Sequence, residues 1–346
     1  GFLITALLLQ EHLRNGRVDL RQFYLRRVLR LLPALLMLLL FCWLGTRMSG
    51  AAAERQALRR DTWSALFFFH NWRLGLCPDP SPSPLLTPLW SLSVEEQFYF
   101  AWPAALAALL AWRIRRRWVA GLALLGVVLS AGWRSILWLF SVPVARLYFG
   151  TDTHVDGLLV GCLLAMLAAW GKGPRAAWPR QLLRWAAWPA LAFLAAHGLS
   201  QTHPPVGYLF TYGFTLVAVA TAVVIGALLW SPPSLLTALL ASPPFRWLGR
   251  ISYGTYLWNL PVMIFLPRLF GALEKPADSG DPLARVVMNV VSYDPRVTGA
   301  LMLAGSLLAG ALSYSCVERP FLRLKQRLKS GHVPPTRPAA RNRVAA

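Results

Sequence analysis

Eight apolar runs recur along the chain, at residues 31–45, 98–112, 118–133, 155–171, 185–197, 206–230, 251–266 and 298–314. A water-soluble domain buries such surface in one core, whereas a chain that repeats it this often needs the bilayer as its solvent, where each segment satisfies its own backbone as a helix. Several runs fall short of the ~20 residues that a crossing takes, and flanking Trp and snorkelling Arg extend them. Hydrophobic residues make up 56% and charged residues only 14% of the 346, which excludes an ordinary soluble domain of this size. The fold class expected is all-α, a polytopic transmembrane helical bundle. One membrane domain occupies 1–324, and a basic tail without apolar period, 325–346, is expected to be disordered. Residues 1–9 are apolar but cover only about half a span, so the chain is expected to begin inside a helix.

Alternation of the runs leaves two orientations, and charge separates them. If residues 10–30 face the cytoplasm, so do 113–117, 171–184, 231–250 and everything after 315. Those segments carry 24 Lys and Arg against three acids (Glu11, Asp19 and Glu318), while the other side carries 11 of each sign. The whole excess of +21 falls on one face, which the positive-inside rule assigns to the cytoplasm, with the C-terminus there too. A pI near 11.2 invites a nucleic-acid partner, but the basic residues form short clusters between apolar spans rather than one stripe with stacking aromatics, so no nucleic acid is expected. Anionic lipid headgroups account for most of them. Cys42, Cys77, Cys162 and Cys316 have no CxxC spacing, and neither a metal site nor a disulfide framework is predicted.

Residues 90–99, WSLSVEEQFY, put two adjacent carboxylates, Glu95 and Glu96, at the mouth of an apolar run. An unpaired carboxylate in hydrocarbon costs several kcal/mol, so acids at that depth usually face a cavity and act there. A structural reading competes: Ser93 and Glu96 fit a capping box, which needs one glutamate and leaves the other free. Residues 153–156, THVD, repeat the grammar at another outer mouth, where Asp156 is expected to cap Thr153 and His154 is either a turn residue or a proton carrier. His70, in FFFHNW, is the other outer histidine, in a loop (48–89) whose apolar patch at 66–72 is too short to cross and suits a re-entrant or interfacial piece. Gly249 and Gly254 are expected to be helix-packing contacts, and Glu318 to pair with Arg319, with Pro320 ending the helix.

Six segments in order carry a family resemblance: GFLIT at 1–5, GRVDL at 16–20 with FYLRRVLRL at 23–31, residues 90–99, TDTHVDG at 151–157, LGRISYGTYLW at 248–258 and VERP at 317–320. The chain resembles the acyltransferase-3 family, integral-membrane O-acyltransferases that decorate bacterial polysaccharides, lipid-linked sugars and some antibiotics, over residues 1 to about 321.

The resemblance implies an enzyme moving an acyl group, acetyl among the candidates, from a cytoplasmic acyl-CoA to a hydroxyl of a carbohydrate, glycolipid or related acceptor at the opposite face of the bacterial inner membrane. No permanently bound cofactor is implied. Arg27 and Arg30 match the family's paired arginines and would hold the donor, and at i, i+3 they share one helical face. Glu95, Glu96 and His154 would serve the chemistry, although relatives often carry arginine at the position of His154. His70, Trp90, Ser91, Asp156, Tyr253 and Asn259 would contact the acceptor. Asn259 stands where many relatives have histidine, which keeps hydrogen bonding and loses proton transfer. The family's key histidine would lie upstream of Gly1, so these 346 residues are expected to be a truncated form, inactive alone. Donor and acceptor groups are expected at opposite membrane faces. A transporter or flippase of a lipid-linked or small polar substrate is the competing class, but it should show an internal repeat of broken helices, and none is found.

Overall fold

The computed structural model describes residues 1–49, 51–77, 82–199, 206–277 and 295–323, and the tail expected at 325–346 lies outside them. Helices make up nearly all of this, with no strand among the described residues. In chain order they are α1 (Phe2–Asn15), α2 (Leu20–Ser49), α3 (Ala52–Leu66), α4 (His70–Leu76), α5 (Leu89–Ala111), α6 (Arg116–Leu139), α7 (Val144–Phe149), α8 (Val155–Ala169), α9 (Ala177–Leu199), α10 (Val206–Tyr208), α11 (Phe214–Trp230), α12 (Leu235–Leu240), α13 (Pro243–Ala277) and α14 (Pro295–Ser313). A π-turn over Leu209–Gly213 joins α10 to α11, and another over Tyr314–Glu318 follows α14. Among the described residues four helices are long and apolar enough to cross a membrane: Leu20–Met48, Arg116–Leu139, Leu209–Trp230 and Arg296–Arg323.

Local chemistry sets the element ends. Gly16 closes α1 at φ 70°, a left-handed position that suits glycine, and its N–H returns to His12 O. Three residues on, the Asp19 carboxylate accepts the Gln22 N–H at 2.9 Å and caps α2. The helix then presents two apolar faces. Ala34, Leu35, Leu38 and Cys42 are buried, while Leu36, Leu40 and Leu44 point outward at i, i+4 spacing, the surface a bilayer would cover. Helix α6 divides the same way: Val119, Ala123, Val127, Ser130 and Arg134 face inward, and Leu122, Leu125 and Leu129 outward.

The buried residues form two principal clusters. One joins α1, α5, α6 and α8 around Leu8, Leu9, Phe98, Leu106, Val119 and Met166. The other joins α2, α3, α13 and the turn before α5 around Leu35, Leu38, Leu58, Leu86 and Trp258. Helix α5 contributes to both, Leu89 and Leu92 to the second and Phe98, Tyr99 and Leu106 to the first. Helix α2 does the same, with Phe23 in the first and Leu35 and Leu38 in the second, so the adjacent glutamates sit on one of two helices that tie the clusters together.

Several local expectations are corrected. Helix α5 begins at Leu89, four residues before Ser93, whose hydroxyl turns back to Leu89 O at 3.0 Å, so residues 93–96 are no capping box. The Thr153 hydroxyl donates to Leu147 O and Gly150 O and closes the turn before α8 rather than capping it. Pro320 does not end the last helix, which runs on to Arg323, because the π-turn just before it absorbs the register change. Glu318 accepts from the Ser313 hydroxyl at 3.4 Å rather than pairing with Arg319. Of the two glycines, Gly254 is the packing contact: a Cβ there would meet Gly310 O at 2.8 Å, whereas one on Gly249 would meet nothing within 4 Å.

Candidate active site

Arg27 and Glu96 meet. The guanidinium donates from Nε to both carboxylate oxygens, at 2.9 and 3.0 Å, and from Nη2 to Oε1 at 2.5 Å, with both side chains 85% or more buried (15% and 12% exposed). The Arg27 guanidinium carbon also lies over the Tyr99 ring, 3.4 Å from its centroid. Each partner stands seven residues into its helix, about 10 Å from its start at 1.5 Å per residue. The opposite-face separation expected from the sequence is therefore corrected at this pair, because α2 and α5 carry the two charges inward from their ends until they touch.

Two cavities share Arg27. The first, about 510 Å³, lies between α1 and α2 and is rimmed by Gln10, Glu11, Arg14, Asn15, Arg26 and Arg30. The second, about 650 Å³, lies between α2, α5 and the end of α3, with Arg27, Glu96, Gln97 and Tyr99 among the apolar side chains of Leu31, Phe67 and Phe68. Arg30 thus joins Arg27 at the first cavity, as their i, i+3 spacing allows.

Glu95, on the next face of α5, is exposed, and it accepts from the Tyr99 hydroxyl at 3.4 Å. Its neighbour Gln97 is saturated. The amide nitrogen donates to Phe68 O and Asn71 Oδ1 at 2.7 and 2.8 Å, and the amide oxygen accepts from Trp72 Nε1 and the Thr151 hydroxyl at 3.1 and 2.5 Å. One side chain so anchors the α3–α4 turn and the segment before α8 to the helix that bears both glutamates.

His154 sits half-buried in an aromatic nest, its ring 5.5 Å from Trp90 and 4.7 Å from Phe214. Nδ1 lies 3.2 Å from Gly150 O, an acceptor, which makes Nδ1 the protonated nitrogen and leaves Nε2 with its lone pair and no partner among the described residues. It lines a separate cavity of about 270 Å³ between α8 and α11. Asp156, two residues on, is fully engaged: Arg134 reaches both oxygens at 3.0 Å, and the Thr215 hydroxyl donates to Oδ2 at 2.7 Å. Just outside these helices, burial alone would push the Asp152 carboxyl up, but Arg146, at 2.6 and 2.9 Å, and Trp133 Nε1 outweigh it and hold Asp152 below its usual value.

His70 packs away from the glutamates. Its Nδ1 is 2.8 Å from the Ser64 hydroxyl, near the buried Asp61 that accepts from Arg73 and from the Ser83 N–H. Burial pushes the imidazole down from 6.5 to about 4, against the opposing pull of Asp61. Protonation is thus disfavoured in the fold, so this contribution to stability is whole above pH 6.5 and is lost as the pH falls from 6.5 toward 4. Thermal unfolding of the purified protein should show the acid loss, and His70→Gln should flatten the profile across that window; an unchanged profile would place the acid sensitivity elsewhere.

The remaining expected acceptor contacts divide. The Ser91 hydroxyl is 2.8 Å from that of Tyr256, which donates to Pro88 O. Tyr253 spends its hydroxyl on Leu31 O at 3.1 Å. Asn259 lies in another groove, between α13 and α14, with Thr255 and Ser306. The structure thus groups Arg27, Arg30, Glu95, Glu96 and Tyr99, sets Trp90 beside His154, and leaves His70 and Asn259 apart. Arg134, fully buried, was missed by the sequence reading, although it continues the inward stripe of α6 after Val127 and Ser130.

The family model described as an acyltransferase domain matches residues 1–314. YrhL of Bacillus subtilis is 35% identical over 347 residues, covering 92% of this chain and 48% of that protein. The peptidoglycan O-acetyltransferase OatA of Listeria monocytogenes is 32% identical over 283 residues, 76% of this chain and 43% of that protein. The O-acetyltransferase OatA of Staphylococcus aureus is 31% identical over 281 residues, 77% and 44%. The chain spans about half the length of the curated relatives it matches. No solved structure matches it. The match over residues 1–314, on a chain whose helices include four long and apolar enough to cross a membrane among the described residues, shows that this helical membrane protein belongs to the acyltransferase-3 family.

Proposed function

We propose that the protein transfers an acyl group, acetyl by analogy with its relatives, from acyl-CoA to a hydroxyl of peptidoglycan or a related envelope carbohydrate. The observation that carries this is the pair of cavities meeting at Arg27, one basic and one mostly apolar, in a chain of this family. Arg14, Arg26 and Arg30 offer the guanidinium forks that phosphate oxygens take bidentately, on the side whose charge excess argues for the cytoplasm. The acceptor oxygen bonds to the thioester carbonyl carbon, its proton passes to Glu95, and the C–S bond breaks with the electron pair leaving on the thiolate. Glu95 suits that part because its carboxylate is exposed and forms no salt bridge among the described residues, whereas Arg27 occupies both oxygens of Glu96. His154, with a free Nε2 beside Trp90, is placed to orient an acceptor.

Lysine in place of arginine keeps charge and loses the fork. Acyl transfer to envelope carbohydrate, normalised to protein in the membrane, should fall about tenfold or more in the Arg27→Lys/Arg30→Lys variant, the worth of one to three kcal/mol of lost charge-assisted bonding. Undiminished transfer would reduce both residues to membrane anchors.

A further inference from the structure

Between α8 and α11 runs a slot that neither Arg27 nor the glutamates line. Its walls are one face of each helix: His154, Gly157, Gly161 and Leu164 on α8, and positions from Phe214 to Ile225 on α11. The α11 wall belongs to Leu209–Trp230, one of the helices apolar enough to cross a membrane. At 1.5 Å per residue the slot is ~15 Å long, half of a ~30 Å hydrocarbon core and so the depth of one leaflet. A volume of about 270 Å³ spread over that length is a narrow bore, too thin for a further helix of about 10 Å diameter. Small side chains keep it open: a Cβ on Gly157 would meet only the Ala218 Cβ, at 3.7 Å. The walls alone describe hydrocarbon, but the end at His154 does not. Nδ1 donates to Gly150 O, and Nε2 keeps a lone pair without a partner among the described residues, so that end calls for a hydrogen-bond donor. Asp156 also lines the slot, but Arg134 neutralises it through both oxygens. An anionic head group would therefore set an unpaired charge beside that carboxylate. Trp90 and Tyr148, 5.5 and 6.2 Å from the His154 ring, add aromatic faces of the kind on which sugar C–H groups stack.

We infer that this slot holds the hydrocarbon tail of an uncharged glycolipid, with a hydroxyl of its sugar donating to His154 Nε2, so that the protein takes its acceptor while the sugar is still anchored in the membrane. The inference rests on the reading of His154 as an acceptor contact and gives that acceptor a class, an amphiphile rather than a free polymer. Hydrocarbon below and a lone acceptor above match a tail and a hydroxylic head in that order. His154 stands between the slot and Trp90 of α5, five positions before Glu95, so a head group held there lies beside the helix that carries the proposed base.

The test is photolabelling in phosphatidylcholine nanodiscs with an N-acetylglucosaminide whose alkyl tail carries a diazirine, the labelled peptides being identified by mass spectrometry. Label should fall on α8 and α11 and be displaced by dodecyl N-acetylglucosaminide but not by the methyl glycoside, which has the head without the tail. A phosphatidylcholine with the same diazirine tail has no hydroxyl to donate and should label these helices roughly three- to tenfold less, the worth of one hydrogen bond. Gly157→Leu and Ala222→Leu fill the bore from opposite walls and should each cut glycolipid labelling about tenfold, and either one that melts with the parent certifies the fold. His154→Phe keeps the ring, removes the acceptor and should cut it roughly three- to tenfold. Equal labelling by the two lipids, or labelling indifferent to all three substitutions, would overturn the slot. Acyl transfer separates this from the acceptor reading: the filled variants should lose transfer to the dodecyl acceptor and keep it to the methyl one, while His154→Phe should lose both. Loss in His154→Phe alone would overturn the slot and leave the acceptor contact standing, and loss in none of the variants would overturn both.

Discussion

Replacing Arg134 with Met should cost about 3–5 kcal/mol of stability, the usual penalty for stripping one partner from a buried ion pair. Arg134 is fully buried and spends its guanidinium on both Asp156 oxygens, on Thr153 O at 2.5 Å and on the Thr215 hydroxyl at 2.7 Å, so it fastens α6 to the starts of α8 and α11 at once. Its loss abandons a carboxylate among apolar side chains. The double variant Arg134→Met/Asp156→Leu should recover most of that loss, because apolar replacements of buried pairs are often neutral. Thermal unfolding of detergent-purified protein distinguishes the cases, and a single variant that melts with the parent would show that water or lipid headgroups reach this pair.

The second large effect concerns chemistry. Glu95→Gln keeps size and hydrogen bonding and removes the proton acceptor, so acyl transfer should fall by roughly 10²–10⁴-fold, the typical worth of general acid–base help. Among the described residues its hydrogen bond is the long one from Tyr99, at 3.4 Å, so folding and membrane level should be unaffected. The rate is measured as acyl groups delivered to envelope carbohydrate per unit of protein, with His154→Gln in parallel. Normal turnover in Glu95→Gln with a collapse in His154→Gln would move the base to the α8–α11 cavity.

Much of the fold was legible because membrane helices write themselves in runs of apolar residues. The all-helical bundle is found, and where runs were too short to cross, the helices extend them with residues that a hydropathy reading discounts: α5 starts at Leu89, nine residues before the apolar run at 98, and encloses the glutamates. The site was legible in its parts and not in its assembly. Arg27 and Glu96 both stand out in the sequence, but the capping-box reading of Glu96 looks only along its own helix, and the donor reading of Arg27 sets it at the opposite face. Their meeting is a property of how α2 packs on α5, which no single-helix pattern encodes. Arg134 stayed unread for a related reason. It follows a tryptophan at the end of an apolar run, which suggests a snorkelling boundary residue, and only the inward stripe through Val119, Ala123, Val127 and Ser130 assigns it to the interior.

The saturated amide of Gln97 sets a tolerance on everything around it. With two donors and two acceptors already matched, the side chain can neither flip nor trade partners without orphaning a buried polar atom, so the α3–α4 turn and the segment before α8 are indexed to one rung of α5. Loop lengths can drift between these anchor points, but the spacing from Phe68 to Trp72 and the offset from Gln97 to Glu96 cannot. Homologous outer segments could therefore be exchanged as cassettes, provided they bring their own matching set of four contacts to that rung.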